Sequence, residues 1–200
     1  MFALTFWFLA ALVSTLVSGA AVSRYDSGGS NSSAAMPGIT WRGNITVEGP
    51  IYEFNGTVQE IYAQIQAANP EYKLMEVPHK HSASPHTLKV SSTQCDSPND
   101  DDWGYAVGDR IIDGINYLRG LTGDCGVTPG PCGRVSCSWD SAISWCWDNP
   151  TGGYTTKCSA LADYAQAVMD HCPYRPGEVW GTAFSDAGFS VQVAGKVHLC

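Results

Sequence analysis

The sequence predicts an α+β fold: a small antiparallel sheet covered by two helices and stapled by disulfides, with a cysteine-free β/α segment before it. Three observations predict this class. All eight cysteines lie at or beyond position 95. In the same part of the chain, two segments repeat apolar residues at helical spacing, and four others have the composition of strands. Helices separated by pairs of strands favour an α+β arrangement.

The N-terminus has the pattern of a signal peptide. Residues 2–17 are nearly all apolar and are followed by small residues at 18–20. Such a stretch is typical of a secretory signal and is short for a membrane span. We expect cleavage after Ala20, with Ala21 or Ser23 as alternatives, and hence a secreted, extracellular protein. A signal anchor is the competing interpretation.

The cysteines predict a disulfide framework, because an even number in an oxidising compartment is typical of one. Zinc is the rival explanation, but no two cysteines form a C-x-x-C pair. The pairing stays open, since eight cysteines allow about 105 arrangements. The predicted disulfide cysteines are Cys95, Cys125, Cys132, Cys137, Cys146, Cys158, Cys172 and Cys200.

Three N-glycosylation sequons precede the first cysteine, at Asn31, Asn44 and Asn55, whereas a fourth match at Asn149 is excluded by its proline. Their clustering predicts a glycoprotein with a solvent-exposed N-terminal half. Glycans there would shield that half and increase its solubility.

Length and charge restrict the possible functions. A chain of 200 residues can hold, after its signal peptide, one ordinary domain and a smaller appendage. A net charge of -8 argues against nucleic-acid binding, which needs a basic face. No second apolar stretch is long enough to span a membrane. We expect a monomer without a cofactor.

The cysteine-free part is predicted to contain a flexible Ser/Gly/Ala-rich leader at 21–39 and a small β/α segment at 40–76. Thr57 and Glu60 fit a capping box at the start of a helix. The apolar stripe of this helix is Val58, Ile61, Tyr62, Ile65 and Ala68. The segment is either a docked subdomain or a pro-region, and the absence of a dibasic processing site favours the former.

Residues 77–94 are predicted to be a linker. It contains His79, His81 and His86, a spacing that can bind copper or zinc through imidazole. Metal sites need a rigid surrounding shell, so a histidine-rich polar linker is the preferred interpretation.

Residues 95–200 form the predicted stapled α+β domain. Its first helix should bury Trp103, Val107, Ile111, Ile115 and Leu118. A hairpin at 135–147 turns around Asp140 and Ser141, and a second helix follows at 159–171. Two strands, at 179–184 and 189–194, end the domain.

A resemblance follows from Gly114-Ile-Asn-Tyr-Leu-Arg119, from Cys132-Gly-Arg-Val-Ser-Cys-Ser138, and from the order of elements up to Cys200. The chain resembles a family of small cysteine-rich secreted proteins of filamentous ascomycete fungi, which are candidate effectors. In layout it is also similar to virally encoded killer toxins of smut fungi and to necrosis-inducing effectors of plant pathogens. The resemblance implies a fungal virulence or antagonism factor that binds a host or competitor protein or glycan. It implies no reaction and no functional residue.

The alternative is a small secreted hydrolase, such as a ribonuclease or a glycan-active enzyme. The chain has no Gly-x-Ser-x-Gly or His-Glu-x-x-His motif. Acid and base groups for hydrolysis would have to come from His171, His198, Glu178 and Arg134. The two hypotheses differ in whether a cleft brings His171 and Glu178 within hydrogen-bond reach.

Trp145 and Trp147 are two residues apart on a predicted strand, so their side chains share one face while Cys146 points the other way. An exposed pair would form a stacking platform for sugar rings. If the helices cover this face, both side chains belong to the hydrophobic core. The core interpretation is preferred, because large aromatic side chains dominate burial in small domains.

Overall fold

The computed structural model describes residues 36–75, 89–95, 104–128, 130–147, 149 and 151–196, which belong to one compact unit. Several predictions fall outside these residues and are not tested by them. They concern the signal peptide, Asn31, His79, His81, His86, Trp103, His198 and Cys200.

The described residues form three helices and twelve strands. The helices are α1 (Val58–Ala68), α2 (Gly108–Gly120) and α3 (Cys158–His171). The strands are β1 (Ile39–Asn44), β2 (Ile51–Gly56), β3 (Val90–Gln94), β4 (Ala106–Val107), β5 (Asp124–Val127), β6 (Gly130–Ser138), β7 (Ser141–Trp147), β8 (Tyr154–Lys157), β9 (Pro173–Arg175), β10 (Glu178–Val179), β11 (Gly181–Ser185) and β12 (Phe189–Gly195). All strand pairs are antiparallel, and the predicted α+β class is confirmed.

The largest sheet has five strands in the order β3-β11-β12-β7-β6. It contains the predicted hairpin, β6 and β7, and the predicted C-terminal pair, β11 and β12. Val191 lies opposite Trp145 and Val193 opposite Ile143, so one face of the sheet is apolar. Helices α2 and α3 pack on this sheet and contribute buried residues such as Ile115 to the core.

A second sheet, in the order β2-β1-β5-β8, joins the cysteine-free segment to the stapled part of the chain. Trp41 of β1 is fully buried and stacks on Phe54, and its indole N–H donates to the carbonyl of Thr122 at 3.1 Å. Helix α1 adds Val58, Ile61 and Ile65 to the same core. Residues 36–75 therefore share one hydrophobic core with the stapled part.

The start of α1 follows the prediction. The backbone N–H of Thr57 donates to Glu60 Oε2 at 2.7 Å, and the N–H of Glu60 donates to Thr57 Oγ1 at 3.3 Å, which completes the capping box. The predicted apolar stripe is wrong at its end, where Ala68 is exposed. Tyr62 is half-buried, and its ring meets Tyr117 edge-on.

Two elements differ from the prediction because of pairing with distant strands. Val107 is exposed and precedes α2, since β4 pairs with β10 before the helix begins at Gly108. Residues 90–94, assigned to the linker, form the edge strand β3 against β11. Partner strands far along the chain decide both elements.

Disulfides are present as predicted. They join Cys95 to Cys172, Cys125 to Cys158, and Cys132 to Cys146. Cys137 is disulfide-bonded as well. Because Cys158 begins α3 and Cys172 is its C-cap, two disulfides hold the two ends of this helix. None of the described helices is long and apolar enough to cross a bilayer.

Candidate functional site

The turn between β6 and β7 presents a tryptophan to solvent. Trp139 and Asp140 form this turn with φ angles of 49° and 55°. Two-residue hairpin turns of this kind favour Asn, Asp and Gly, and a bulky residue there costs about 1–2 kcal/mol in the left-handed region. Trp139 is nevertheless 75 % exposed. The turn thus displays a large aromatic ring at a position that disfavours it.

Arg110, in the first turn of α2, lies beside this ring. Its guanidinium carbon is 5.9 Å from the Trp139 ring centroid, and its Nη1 is 3.4 Å from Asp113 Oδ2. The cation–π contact and the ion pair restrict both the arginine and the indole. Most of the ring still faces solvent.

Strand β4 lies against the same turn. The N–H of Val107 donates to Ser141 Oγ at 3.0 Å, and this hydroxyl lies 3.3 Å from the carbonyl of Trp139. The side chain of Val107 is exposed. An exposed aliphatic residue therefore lies in the strand that hydrogen-bonds to the Trp139 turn.

A second exposed aromatic group is linked to the first through β4. Tyr105, just before β4, stacks on Tyr174 with ring centroids 3.9 Å apart, and the Arg175 guanidinium carbon lies 5.0 Å from the Tyr174 ring centroid. Tyr174 is itself exposed. We call these two groups, which β4 connects, the aromatic end; they comprise Tyr105, Val107, Arg110, Trp139, Tyr174 and Arg175.

Trp145 and Trp147 do not form an exposed pair. Trp145 is fully buried, edge-on to Phe189 at 5.8 Å between centroids, because α2 packs on β7 and α3 on the neighbouring β12. Trp147 is half-buried, and its indole N–H donates to the carbonyl of Gly152 at 3.0 Å. A stacking platform made of this pair is therefore excluded. The exposed indole of the hairpin is Trp139, which sequence reasoning placed at the end of a strand.

The outer face of the four-stranded sheet is polar and concave. One residue from each strand forms a row across it, and the charges alternate in the order Glu53, Arg42, Asp124 and Lys157. Lys157 Nζ lies 2.6 Å from Asp124 Oδ1. Two concavities, of about 370 and 400 Å³, share Arg42 and Asp124. We call this surface the polar face.

Two predicted glycosylation sites lie on the polar face. Asn44 ends β1, is exposed, and donates through Nδ2 to the carbonyl of Gly49 at 2.6 Å. Asn55 of β2 is also exposed, and its Oδ1 accepts from Thr40 Oγ1 at 2.7 Å. Both amides are therefore accessible on one surface.

The candidate hydrolase residues are not brought together in the described part of the chain. His171 Nδ1 lies 2.8 Å from the carbonyl of Ala167 in its own helix, and no hydrogen bond joins His171 to Glu178. Neither residue lines the two concavities of the polar face. Arg134 is buried within β6.

One ionisable core residue has a displaced pKa. Burial raises the pKa of Tyr164, and its hydrogen bond to Ser185 Oγ, at 2.9 Å, partly offsets the shift. The ring packs on Phe189, 4.9 Å away between centroids. Tyr164 is a structural residue of the core rather than part of an open site.

The fold and its cross-links define the class of the molecule as a disulfide-stapled α+β protein, and such cross-links are compatible with an extracellular location. No family model, curated protein or solved structure matches the chain.

Proposed function

We propose that this chain is a secreted effector or toxin-like factor, of fungal origin, that binds a protein or glycan of a host or competitor through the aromatic end. The observation that carries the proposal is Trp139, an exposed indole in a turn whose backbone disfavours tryptophan. A costly exposed aromatic residue is expected where it is used for binding.

The composition of the aromatic end supports binding to a macromolecule. Tryptophan, tyrosine and arginine are the residue types that dominate the energetics of interfaces. Trp139 and Tyr174 each have an arginine within cation–π distance. These contacts hold the side chains in place before a partner arrives, which lowers the entropy cost of association.

The disulfides support a role outside the cell. Cys125–Cys158 and Cys95–Cys172 hold both ends of α3, and Cys132–Cys146 ties β6 to β7, the two strands that carry the Trp139 turn. A cross-linked hairpin keeps its turn geometry under conditions that loosen other small domains. Binding would therefore depend on the oxidised state.

The hydrolase alternative gains no specific support. Hydrolysis requires an acid and a base within reach of one reacting atom. In the described residues, the two concavities are lined by glycine, threonine, Asn44, Ile51, Val127 and the row of charges, which includes the carboxylates Glu53 and Asp124, and neither concavity contains His171 or Glu178. The binding proposal therefore rests on Trp139 and not on an absence of acidic groups.

The test applies purified, oxidised protein to plant tissue and to competing fungi, with reduced and alkylated protein as a control. We expect a tissue or growth response that is lost on reduction and lost in Trp139→Asp, a substitution that creates no sequon before Asp140 and Ser141. Ile51→Ala, which changes an exposed apolar residue of the polar face, should keep the response. A response that Trp139→Asp retains would overturn binding through the aromatic end, and no response on any target would overturn the effector function itself.

A further inference from the structure

We infer that an N-linked glycan on Asn44 lies on the polar face of the chain's own sheet, in the concavity beside Arg42. The inference rests on secretion, which is part of the proposed function, because sequons are glycosylated in secreted chains. It concerns a different surface from the aromatic end.

The attachment atom is already at the rim of this concavity. Asn44 is among the residues that line the space of about 400 Å³, together with Arg42, Asp124 and Lys157. Its Nδ2 donates to the carbonyl of Gly49 at 2.6 Å. A glycosylated amide keeps one N–H, so this hydrogen bond can persist and orient the first sugar.

The floor of the concavity has the hydrogen-bonding pattern that sugars need. A sugar hydroxyl both donates and accepts, and neighbouring hydroxyls are best bound by alternating donors and acceptors. Arg42 and Lys157 donate, Asp124 accepts between them, and the three residues lie on neighbouring strands, which are spaced about 4.8 Å apart. The first sugars of a glycan can therefore bridge successive strands.

Arg42 has unused hydrogen-bonding capacity. It lies directly opposite both Glu53 and Asp124 in the strand register, yet within the described residues it makes no ion pair with either. Asp124 is instead paired with Lys157 at 2.6 Å. The fork of N–H donors on Arg42 is thus available for two neighbouring hydroxyls or for an acetamido carbonyl.

A glycan on Asn44 would also explain why aliphatic residues beside it are exposed. Ile51 lies directly opposite Asn44 in the register, lines the concavity and is 60 % exposed, and Val47 in the adjoining turn is fully exposed. The C–H faces and acetamido methyl groups of N-acetylglucosamine would remove these isolated apolar side chains from water, which is favourable. Asn44 is the only described sequon positioned for this, because Asn55 lines neither concavity.

The experiment uses the full chain produced in a host that adds N-glycans, with site occupancy measured by mass spectrometry. We expect Asn44 to be occupied. Loss of its glycan, by Asn44→Gln or by Thr46→Ala, should lower Tm by about 2–4 °C. Asn55→Gln is the matched control and should leave Tm nearly unchanged.

Coupling between the glycan and Arg42 is the decisive readout. Arg42→Ala should lower Tm in the glycosylated protein and have little effect once the Asn44 glycan is absent. Equal Arg42→Ala shifts with and without the glycan would overturn the inference, as would an unoccupied Asn44 in a secreted chain that is active on tissue. A chain that is neither glycosylated nor active would instead contradict the secretion on which both proposals rest.

Discussion

Residues 36–75 and residues 104–196 build one core but are held in it by different means. The first region has no cysteine and is attached through the pairing of β1 with β5 and through buried side chains such as Trp41. The second region contains the disulfides Cys125–Cys158 and Cys132–Cys146. A third disulfide joins Cys172, at the end of α3, to Cys95. Cys132–Cys146 reinforces the hairpin that carries the Trp139 turn, and Cys125–Cys158 reinforces the β5–β8 half of the polar face. The β1–β2 half of the polar face depends on strand pairing and burial alone.

The largest effect should come from the region without cross-links. Trp41→Ala removes a fully buried indole and its hydrogen bond to Thr122, and should lower the free energy of unfolding by about 3–5 kcal/mol. Chemical denaturation measures the change, with exposed Arg42→Ala in unglycosylated protein as the control. A single transition is expected because both regions share one core, and two separate transitions would contradict that.

Loss of a disulfide should lower the free energy of unfolding by somewhat less than Trp41→Ala does. Replacing Cys125 and Cys158 by alanine should cost about 2–5 kcal/mol. The Cys132–Cys146 pair provides a matched comparison, since the sequence separations are 33 and 14. Loss of Cys125–Cys158, which closes the longer loop, should lower the free energy of unfolding by about 0.8 kcal/mol more than loss of Cys132–Cys146 if chain entropy dominates. Equal losses, measured by urea denaturation, would show that native-state contacts dominate instead.

Local signals explain which parts of the fold were predictable. The capping box at Thr57 and the apolar period of α3 lie within single elements, so the sequence identifies them without knowledge of partners. Strands β3, β5 and β8 are short and pair with segments far along the chain. Their formation depends on tertiary contacts that no local pattern encodes.

The candidate site was missed because of a shift of one residue in a turn. The hairpin was expected to turn around Asp140 and Ser141, which leaves Trp139 in a strand, whereas the turn residues are Trp139 and Asp140. Since side-chain direction alternates along a strand, such a shift changes which residues are exposed. The sequence signal for an exposed Trp139 was its position directly before Asp140 and Ser141, which are residue types that form turns. The polar face could not be predicted, because it combines two distant pairs of strands.

A smaller effect tests the helix that anchors the cysteine-free region. Thr57→Ala removes the hydroxyl that accepts from the N–H of Glu60, and should lower the free energy of unfolding by about 1 kcal/mol. Glu60→Gln keeps a side-chain acceptor for the Thr57 N–H and should cost less. Thermal unfolding of the two variants distinguishes them, and an unchanged Thr57→Ala would contradict a role for the cap.

The smallest effect is a pH dependence of the stapled core. Because burial raises the pKa of Tyr164 above its usual 10.0, the unfolded chain loses this proton first as the pH rises. Stability from this group is therefore complete below pH 10 and decreases as the pH rises towards the folded pKa. Tyr164→Phe should lose less stability than the wild type over that interval in pH-dependent denaturation, and parallel curves would contradict the assignment.

The most direct test concerns Trp139. Trp139→Asp relieves a backbone cost of about 1–2 kcal/mol, loses a cation–π contact worth about 0.5–1 kcal/mol and creates no sequon. The free energy of unfolding should therefore rise by about 0.5–1 kcal/mol, while the response of the target tissue is lost. A variant that is more stable and fully active would contradict binding through the aromatic end.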